Sequence, residues 1–413
     1  MAKLLLPDAL WKRIAHLFLP LITRLYVVTL CIISLQGVAL ASDSQISYIG
    51  PMSVRVSETT LIGQVTGAAA PTDTATGWDV HGTDLGHMFW HRDKLYMVFG
   101  DTFGAGGYGG KNWRSNTMAR ISNPDPQSGL PIAEMVTGRS GKAKELLLSR
   151  KINGVEKTII PTYGISIDDR MYLHYMSVRR WGAAGHWDVR HSGFAYSDDD
   201  GHTWKMSLEA VWPGGTGFEQ VALILDGDYL YTFGIPGGRF GGVRLRRVSP
   251  DKILVREAYV YWDGEGWVED PGAAVLVVPP AVGELSVAWS AHHRQWLMMY
   301  LNSTRQAIVL RTAPLLTGPW GEEQIVVTAE NYPGLYAPYI VPGSALQDDV
   351  YFTMSLWEPY NVFLMRASLE GSPQGLAVQQ DAQLAEDQKA EPSTDSERLA
   401  RGLNEPPFRA KRR

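Results

Sequence analysis

The chain has 413 residues and a formal net charge of −5, from 38 lysines and arginines against 43 aspartates and glutamates. Its 45% apolar and 20% charged residues are ordinary for a folded globular protein, which excludes a fully disordered, collagen-like or coiled-coil chain. The charge balance makes nucleic acid an unexpected partner, and the single cysteine, Cys31, excludes disulfides within the chain and multi-cysteine zinc sites.

The first 41 residues have the three parts of a secretory signal. Basic residues up to Arg24 precede an apolar run over 25–35, and Val38-Ala-Leu-Ala41 supplies a small-residue cleavage site. An uncleaved membrane anchor is the alternative, although the uncharged stretch before Asp43 is short for a span. We expect cleavage after Ala41, export to the periplasm or beyond, and no stable membrane insertion of the mature chain.

The middle of the chain, residues 44–370, predicts an all-β domain. The whole chain has 42 glycines, 24 prolines and many aromatic residues, which fit short strands joined by turns. Five stretches repeat an apolar strand, a tight polar turn and an aromatic-rich strand: 84–90 with 95–99, 160–167 with 171–176, 219–225 with 229–233, 284–289 with 296–300, and 336–341 with 350–354. Five such units predict a five-bladed β-propeller, with the strand near 53–56 pairing with the last blade to close the ring.

A turn motif supports the propeller independently. Ser197-Asp-Asp-Asp-Gly-His-Thr-Trp204 fits the Asp-box pattern found on propeller hairpins, in which Ser and Asp bond turn amides and Trp packs beneath. A calcium loop counted from Asp198 would have Thr203 where an EF-hand requires glycine, so calcium is not expected.

Two other motifs resemble binding sites but lack the required context. Gly104-Ala-Gly-Gly-Tyr-Gly109 matches a dinucleotide fingerprint, yet turn and strand residues follow it instead of a helix, so we interpret it as a loop. His81, His87 and His91 are close in sequence, but strand spacing separates them too far for easy chelation. We therefore predict neither a metal nor a cofactor.

The segment 371–413 has few apolar residues and no periodicity, which predicts a disordered tail. Its basic end, Arg409 to Arg413, could contact anionic polymers, although a solvated tail is the simpler interpretation. Nothing in the sequence calls for a second copy of the chain, and we expect a monomer.

Two aspartates stand out in the first repeat. If its hairpin turns at Arg92-Asp93, antiparallel partners have numbers that sum to 185, which places Asp84 opposite Asp101 with Cβ atoms about 5 Å apart. Such a carboxylate pair tends to have one raised pKa and suits acid–base catalysis. Turn or cap duty is the alternative, but the third repeat has Ile235 where the first has Asp101, so the fold does not require an aspartate there.

The inner strands of a propeller all begin at one face, and their predicted first residues are largely acidic. They are Asp84, a position near Thr162, Glu219, Glu284 and Tyr336. Carboxylates bond hydroxyls and aromatic rings stack on sugars, so this face predicts a funnel for a neutral polyhydroxylated ligand. We predict substrate contacts from Glu219, Gln220, Glu284, Tyr336 and Asn361, with ordinary hydrogen bonding inside the channel as the alternative for the two glutamates.

A series of motifs in this order resembles domain-of-unknown-function family 4185, which overlaps glycoside hydrolase family 183. The motifs are Gly82-Thr-Asp-Leu-Gly86, Val98-Phe-Gly-Asp-Thr-Phe103, Trp113-Arg-Ser-Asn116, Tyr196-Ser-x-Asp-x-Gly201, Gly283-Glu-Leu-Ser286, Tyr336-Ala-Pro-Tyr339 and Ser355-x-Trp-x-x-Tyr-Asn361. The resemblance covers about residues 47–369. It implies a five-bladed propeller, an endo-acting D-arabinofuranosidase activity on D-arabinan, and a catalytic pair at Asp84 and Asp101.

Three functions follow as hypotheses. The first is an exported endo-glycosidase that cleaves furanosidic linkages in a D-arabinan-type polysaccharide, with an inverting mechanism, Asp84 as base and Asp101 as acid; the two roles could be exchanged. The second is a glycan-binding propeller without catalysis. The third, a sialidase prompted by the Asp box, is disfavoured because acidic strand ends would repel the carboxylate of a sialic acid.

Overall fold

The computed structural model describes residues 51–373, with the exception of residue 346. Within this range five antiparallel sheets follow one another along the chain, and the inner strand of each contacts the inner strands of its two neighbours. The ring closes because the first inner strand also contacts the fifth. The all-β, five-bladed propeller expected from the repeats is confirmed, whereas the signal peptide and nearly all of the predicted tail lie outside the described residues.

The strands are assigned to blades as follows. A strand that precedes the first blade is β1 (Met52–Gln64); blade 1 contains β2 (Leu85–His91), β3 (Lys94–Phe99), β4 (Thr117–Ile121) and β5 (Ile132–Met135). Blade 2 contains β6 (Thr158–Ile167), β7 (Arg170–Trp181), β8 (Trp187–Ser197) and β9 (Lys205–Pro213). Blade 3 contains β10 (Gln220–Asp226), β11 (Tyr229–Ile235), β12 (Gly241–Val248), β13 (Val260–Trp262), β14 (Trp267–Val268) and β15 (Leu276–Val282). Blade 4 contains β16 (Leu285–Ser290), β17 (Gln295–Asn302), β18 (Ala307–Ala313) and β19 (Gln324–Thr328); blade 5 contains β20 (Leu335–Ile340), β21 (Asp349–Leu356) and β22 (Asn361–Pro373).

Helices are short in this part of the chain. The α-helix α1 (Thr74–Trp78) begins after Asp73, whose carboxylate accepts hydrogen bonds from the backbone N–H groups of Ala75 and Thr76. Single 3₁₀ turns occupy Pro126–Ser128, Pro250–Lys252, Arg256–Ala258 and Pro271–Ala273. Among the residues described, no helix has the length and apolar character needed to cross a membrane.

The ring is closed by strands from the two ends of the domain. β1 pairs antiparallel with β22, from Met52 opposite Pro373 to Gln64 opposite Phe363, and so forms the outer strand of blade 5. This is the closure that the sequence predicted for the strand near 53–56. β22 also continues through Pro373, past the domain boundary predicted at residue 370.

The Asp box forms the turn between β8 and β9. The Ser197 hydroxyl accepts a hydrogen bond from the Gly201 N–H, and the Asp199 carboxylate accepts from the N–H and the hydroxyl of Thr203. Trp204 donates its indole N–H to the Gly201 carbonyl and packs against the core of the neighbouring blades. The motif therefore closes a hairpin turn, as its sequence predicted.

The core lies between the blades, because each sheet is covered on both faces by its neighbours. All six residues of β20 are buried, as are five of the six residues of β3. Such strands lose the alternation of apolar and polar residues that a half-exposed sheet shows. The inner strands are consequently rigid supports for the residues at their ends.

Candidate active site

A cavity of about 600 Å³ opens where the five inner strands begin. Each inner strand contributes residues at or near its beginning to the cavity wall: Asp84 and Leu85, Ile160 to Thr162, Gln220 and Val221, Glu284 and Leu285, and Leu335 and Tyr336. The face predicted from the strand starts is therefore a concave site. Its walls are fixed by the blades, and loops between the second and third strands of several blades form its rim.

The strand register at this face differs by one residue from the prediction. Pairs in the first hairpin follow the expected register from His91–Lys94 to His87–Val98, but a bulge then places Leu85 opposite Phe99. Asp84 therefore lies beside Gly100, whose N–H donates to the Asp84 carbonyl, and the predicted pairing of Asp84 with Asp101 is wrong. The cause is Gly86, the extra residue, whose φ of 79° is easily adopted only by glycine.

Backbone irregularities of this kind recur around the cavity. Leu85 has φ 71° and Ala337 has φ 49°, in the left-handed region that side chains seldom occupy. β6 shifts register between Pro161 and Tyr163, and β20 shifts between Tyr336 and Tyr339. Bulges re-aim side chains and concentrate near active sites. Three of the five inner strands are thus distorted where they meet the cavity.

The cavity nevertheless brings Asp84 and Asp101 together. Asp84 accepts a hydrogen bond of 3.0 Å at Oδ2 from the Tyr336 hydroxyl. Burial raises the pKa of Asp84 to about 7, and the negative charge of Asp101 adds to the rise, while hydrogen bonds with Tyr360 and Tyr336 lower it. Asp84 therefore retains a proton near neutral pH, which is unusual for an aspartate.

Asp101 has a different environment on the same wall. Its Oδ1 accepts hydrogen bonds from the Thr158 hydroxyl at 2.6 Å and the Trp113 indole N–H at 2.8 Å. Burial raises the pKa of Asp101 to about 6, and these two donors, with the positive charge of Lys151, limit the rise. Two hydrogen-bond donors on one carboxylate oxygen favour the ionised form, so Asp101 loses its proton at a lower pH than Asp84 does.

Glu284 lies on the cavity wall but is held by an arginine that the sequence analysis missed. The Arg239 guanidinium donates to both Glu284 oxygens over 2.7–3.1 Å, and both side chains are largely buried. The same guanidinium lies 4.9 Å from the Tyr336 ring centroid. Arg239 and Glu284 thus form a neutral, rigid ion pair near Asp84. Tyr336 lies between this ion pair and Asp84, because its ring contacts Arg239 and its hydroxyl bonds Asp84.

The other predicted contact residues divide into two groups. Gln220 lines the cavity and donates to the carbonyls of Pro236 and Gly238, which holds the loop that carries Arg239. Glu219 and Asn361 do not line it. Glu219 is fully buried and accepts from the Thr216 and Gly217 N–H groups. Asn361 bonds the Thr66 hydroxyl near the ring closure, so both residues shape the backbone instead.

Aromatic side chains form the rim, and most were not singled out from the sequence. Tyr108, Trp357 and Tyr360 cluster with ring centroids 4.8–5.7 Å apart, and Tyr108 and Trp357 are about half exposed. Trp181 and Trp187, at the β7–β8 turn, also line the cavity, with ring centroids 5.5 Å apart. Flat exposed rings around a polar floor suit a sugar chain.

The glycine-rich motif and the three histidines singled out from the sequence take part in loop structure, hydrogen bonds and ring stacking. The loop over 104–109 holds no helix, and it delivers Tyr108 to the cavity rim. His91 bonds Ser166 and Asp200, whereas His87 stacks on Tyr339 at the cavity wall, where burial lowers its pKa to about 3 and keeps it neutral. The three histidines do not form a common ligand set in the part of the chain described.

Comparisons with known proteins give a family and a fold. Notoamide biosynthesis cluster protein J of Aspergillus sp. (strain MF297-2) is 30% identical over 305 residues, which cover 68% of this chain and 80% of that protein. A solved structure from Bacteroides ovatus ATCC 8483, provisionally described as a hydrolase, superposes with a TM-score of 0.53 at 11% identity, over 71% of this chain and 87% of that one. An exo-β-1,3-galactanase from Phanerochaete chrysosporium gives a TM-score of 0.48 at 9% identity, over 75% and 64%. Likeness at such low identity extends to the fold alone. Residues 69–366 match a family described as a domain of unknown function, DUF4185, and the chain belongs to that family.

Proposed function

We propose that this protein is a glycoside hydrolase that cleaves furanosidic linkages, with Asp84 and Asp101 as its catalytic pair. The observation that carries the proposal is a pair of aspartates, Asp84 partly exposed and Asp101 buried, whose pKa values are raised to about 7 and about 6 on one wall of an aromatic-rimmed cavity. Glycosidases need one carboxylic acid and one carboxylate at neutral pH, and this pair supplies both.

The environments of the two groups favour roles exchanged from the initial assignment. Asp84 keeps its proton because burial and the charge of Asp101 oppose its ionisation, so it acts as the general acid. It protonates the glycosidic oxygen as the bond from the anomeric carbon to that oxygen breaks. Asp101, held ionised by Thr158 and Trp113, either removes a proton from the attacking water or attacks the anomeric carbon itself.

A neutral furanose polymer, with D-arabinan first, is the proposed substrate. Among the described residues that line the cavity, Arg239 is the only lysine or arginine, and Glu284 neutralises its charge, which disfavours an anionic sugar. Hydroxyl groups can bond Gln220 and the paired side chains, and the exposed rings of Tyr108 and Trp357 offer stacking surfaces. The choice of D-arabinan itself rests on the family resemblance.

Product analysis of the purified protein on D-arabinan, L-arabinan and galactan tests the proposal. Release of short oligosaccharides with new reducing ends from D-arabinan supports an endo-acting hydrolase, and the anomer released first separates direct water attack from a covalent intermediate. Saturable binding of these polymers without new reducing ends would refute catalysis and leave a glycan-binding propeller.

A second candidate is acid–base chemistry on a small biosynthetic intermediate. It is favoured by one observation, that a 30% identical relative is named for a biosynthesis cluster. The same two aspartates would serve as proton donor and acceptor. This candidate requires that sugar polymers neither turn over nor compete for the cavity, so the polymer panel separates it from the first.

The pH dependence of kcat/KM should be bell-shaped, with its maximum between about pH 6 and 7. Below about pH 6 Asp101 becomes protonated and loses its role as base, and above about pH 7 Asp84 loses the proton it must donate. The two limbs belong to the coupled pair as a whole. Initial rates in buffers of constant ionic strength measure this, and a flat profile over roughly pH 5–9 would contradict the assignment.

Trp357→Ala should raise KM about tenfold and change kcat much less, because a stacking surface at the rim is lost while the aspartates are untouched. The matched control is Trp289→Ala, which removes a similarly exposed tryptophan that does not line the cavity. Steady-state kinetics on the cleaved polymer compare the two. An equal change in both variants would argue against substrate stacking on Trp357.

A further inference from the structure

A second cluster of chemically capable side chains lies on the face opposite the cavity. All five inner strands begin at the cavity, so the turns that follow them lie at the other end of the ring. The turn between β16 and β17 carries His292 and His293, and the turn before β21 carries Asp348. One ligand atom from each of these three residues lies within 4.8 Å of the other two.

The geometry within the cluster is that of convergent ligands. His292 Nε2 lies 2.9 Å and His293 Nε2 lies 3.9 Å from the same oxygen, Asp348 Oδ1. Tetrahedral zinc, with bonds of about 2.0–2.1 Å, holds its ligand atoms about 3.4 Å apart. The three atoms therefore need only small side-chain adjustments to share one ion, with water in the remaining position.

An independent feature of His293 points to a ligand. Its side chain is fully buried, and its Nε2 has no hydrogen-bond partner among the described residues. The other ring nitrogen, Nδ1, lies 2.9 Å from the Ser290 hydroxyl, which fixes the ring orientation. A buried imidazole nitrogen without a partner is costly, and a metal-binding histidine usually has its other ring nitrogen held by a hydrogen bond, as His293 Nδ1 is held by Ser290.

We propose that His292, His293 and Asp348 bind one divalent transition-metal ion, zinc foremost, at a structural site remote from the catalytic cavity. Two imidazoles and one carboxylate suit zinc better than the oxygen-preferring ions magnesium and calcium. The ion would replace the direct contact between His292 and Asp348 and give His293 Nε2 its partner.

The position of the cluster indicates what the ion would do. The Met52 N–H donates to the His293 carbonyl, so β1 begins at this turn. The Leu369 N–H donates to the Asp348 carbonyl, so the last part of β22 runs beside it. An ion bound here links blade 4 to blade 5 at the point where the first and last strands of the ring meet, and it would stabilise the ring closure.

Calorimetric titration of untagged, EDTA-treated protein with zinc chloride tests the site. We expect one zinc per chain, and a rise in Tm of about 3–5 °C at a free zinc concentration near 100 times the dissociation constant. The same concentration of magnesium should leave Tm unchanged. Amide exchange at Met52 and Leu369 should slow when zinc is added, because both donate to backbone atoms of the cluster.

The variants His292→Ala and Asp348→Asn alter partly exposed side chains, so their folding is not expected to suffer. Each should weaken zinc binding at least tenfold and remove the Tm response, with unchanged Tm in EDTA. His202→Ala, another exposed histidine on a turn, is the control and should behave as the wild type. The proposal is overturned if zinc does not bind one to one, or if both variants respond to zinc as the wild type does.

Discussion

Asp84→Asn should lower turnover of the polymer by at least about 10²-fold while the fold remains intact. The amide is nearly isosteric with the carboxyl group and can still accept the Tyr336 hydrogen bond, but it cannot deliver a proton to the leaving oxygen. Asp101→Asn should cause a loss of similar size, because the amide can neither take a proton from water nor attack carbon. Steady-state rates, with Tm as the check on folding, measure both variants.

A synthetic furanoside with a 4-nitrophenolate leaving group separates the two roles. That group departs without protonation, so Asp84→Asn should recover much of its rate on this substrate, whereas Asp101→Asn should stay impaired. Asp226→Asn, at an exposed position on the far end of β10, is the control and should keep normal rates. Near-normal turnover in both aspartate variants, with a loss in Glu284→Gln, would transfer the acid role to Glu284.

Arg239→Leu should destabilise the protein by about 3–5 kcal/mol, because it leaves the Glu284 carboxylate buried without its partner. The 2.7–3.1 Å contacts compensate that charge in the native protein. Loss of the positive charge near Asp84 should also raise the pKa of Asp84, which moves the alkaline limb of the activity profile to higher pH. Urea unfolding and the pH profile measure the two effects.

The double variant Arg239→Leu/Glu284→Gln is the matched test of this explanation. Removal of both charges should restore much of the lost stability, since no uncompensated ion remains. Arg239→Lys keeps the charge but loses the bidentate geometry, and we expect an intermediate loss. If the double variant is as unstable as Arg239→Leu alone, packing of the guanidinium against Tyr336 and Trp187 is the dominant contribution.

The sequence was informative where structure follows a short-range rule. Strand periodicity predicted five blades, the Asp box predicted its turn, and the common direction of inner strands predicted that Asp84, Glu284 and Tyr336 would meet at one face. It also predicted a shared wall for Asp84 and Asp101. This prediction does not depend on the exact register of the hairpin. β3 pairs with β2, and Asp101 follows the end of β3 after one residue, Gly100.

Features that depend on tertiary contacts could not be predicted from the sequence. The bulge at Gly86 adds one residue to β2, and the pattern of apolar and polar residues in that strand does not predict it. Arg239 lies in a glycine-rich loop without periodicity, so its approach to Glu284 becomes visible only when Gln220 is seen to hold the loop. Glu219 lies at the start of a strand and accepts hydrogen bonds from backbone amides there. An acidic residue at this position could equally bind substrate, and the residue type alone does not distinguish the two roles.

The pairing of β1 with β22 sets an order of events during synthesis. Ser53 and Ser372 bond one another across 319 positions of sequence, so the ring cannot close until the last blade has been made. β1 must wait unpaired meanwhile, and of its residues only Val54 is buried in the finished ring. The exposed residues of this strand include Arg55, Ser57 and Glu58, and charged side chains on an unpaired strand oppose edge-to-edge aggregation of a nascent chain. Docking of β1 is therefore expected to be the final step of folding.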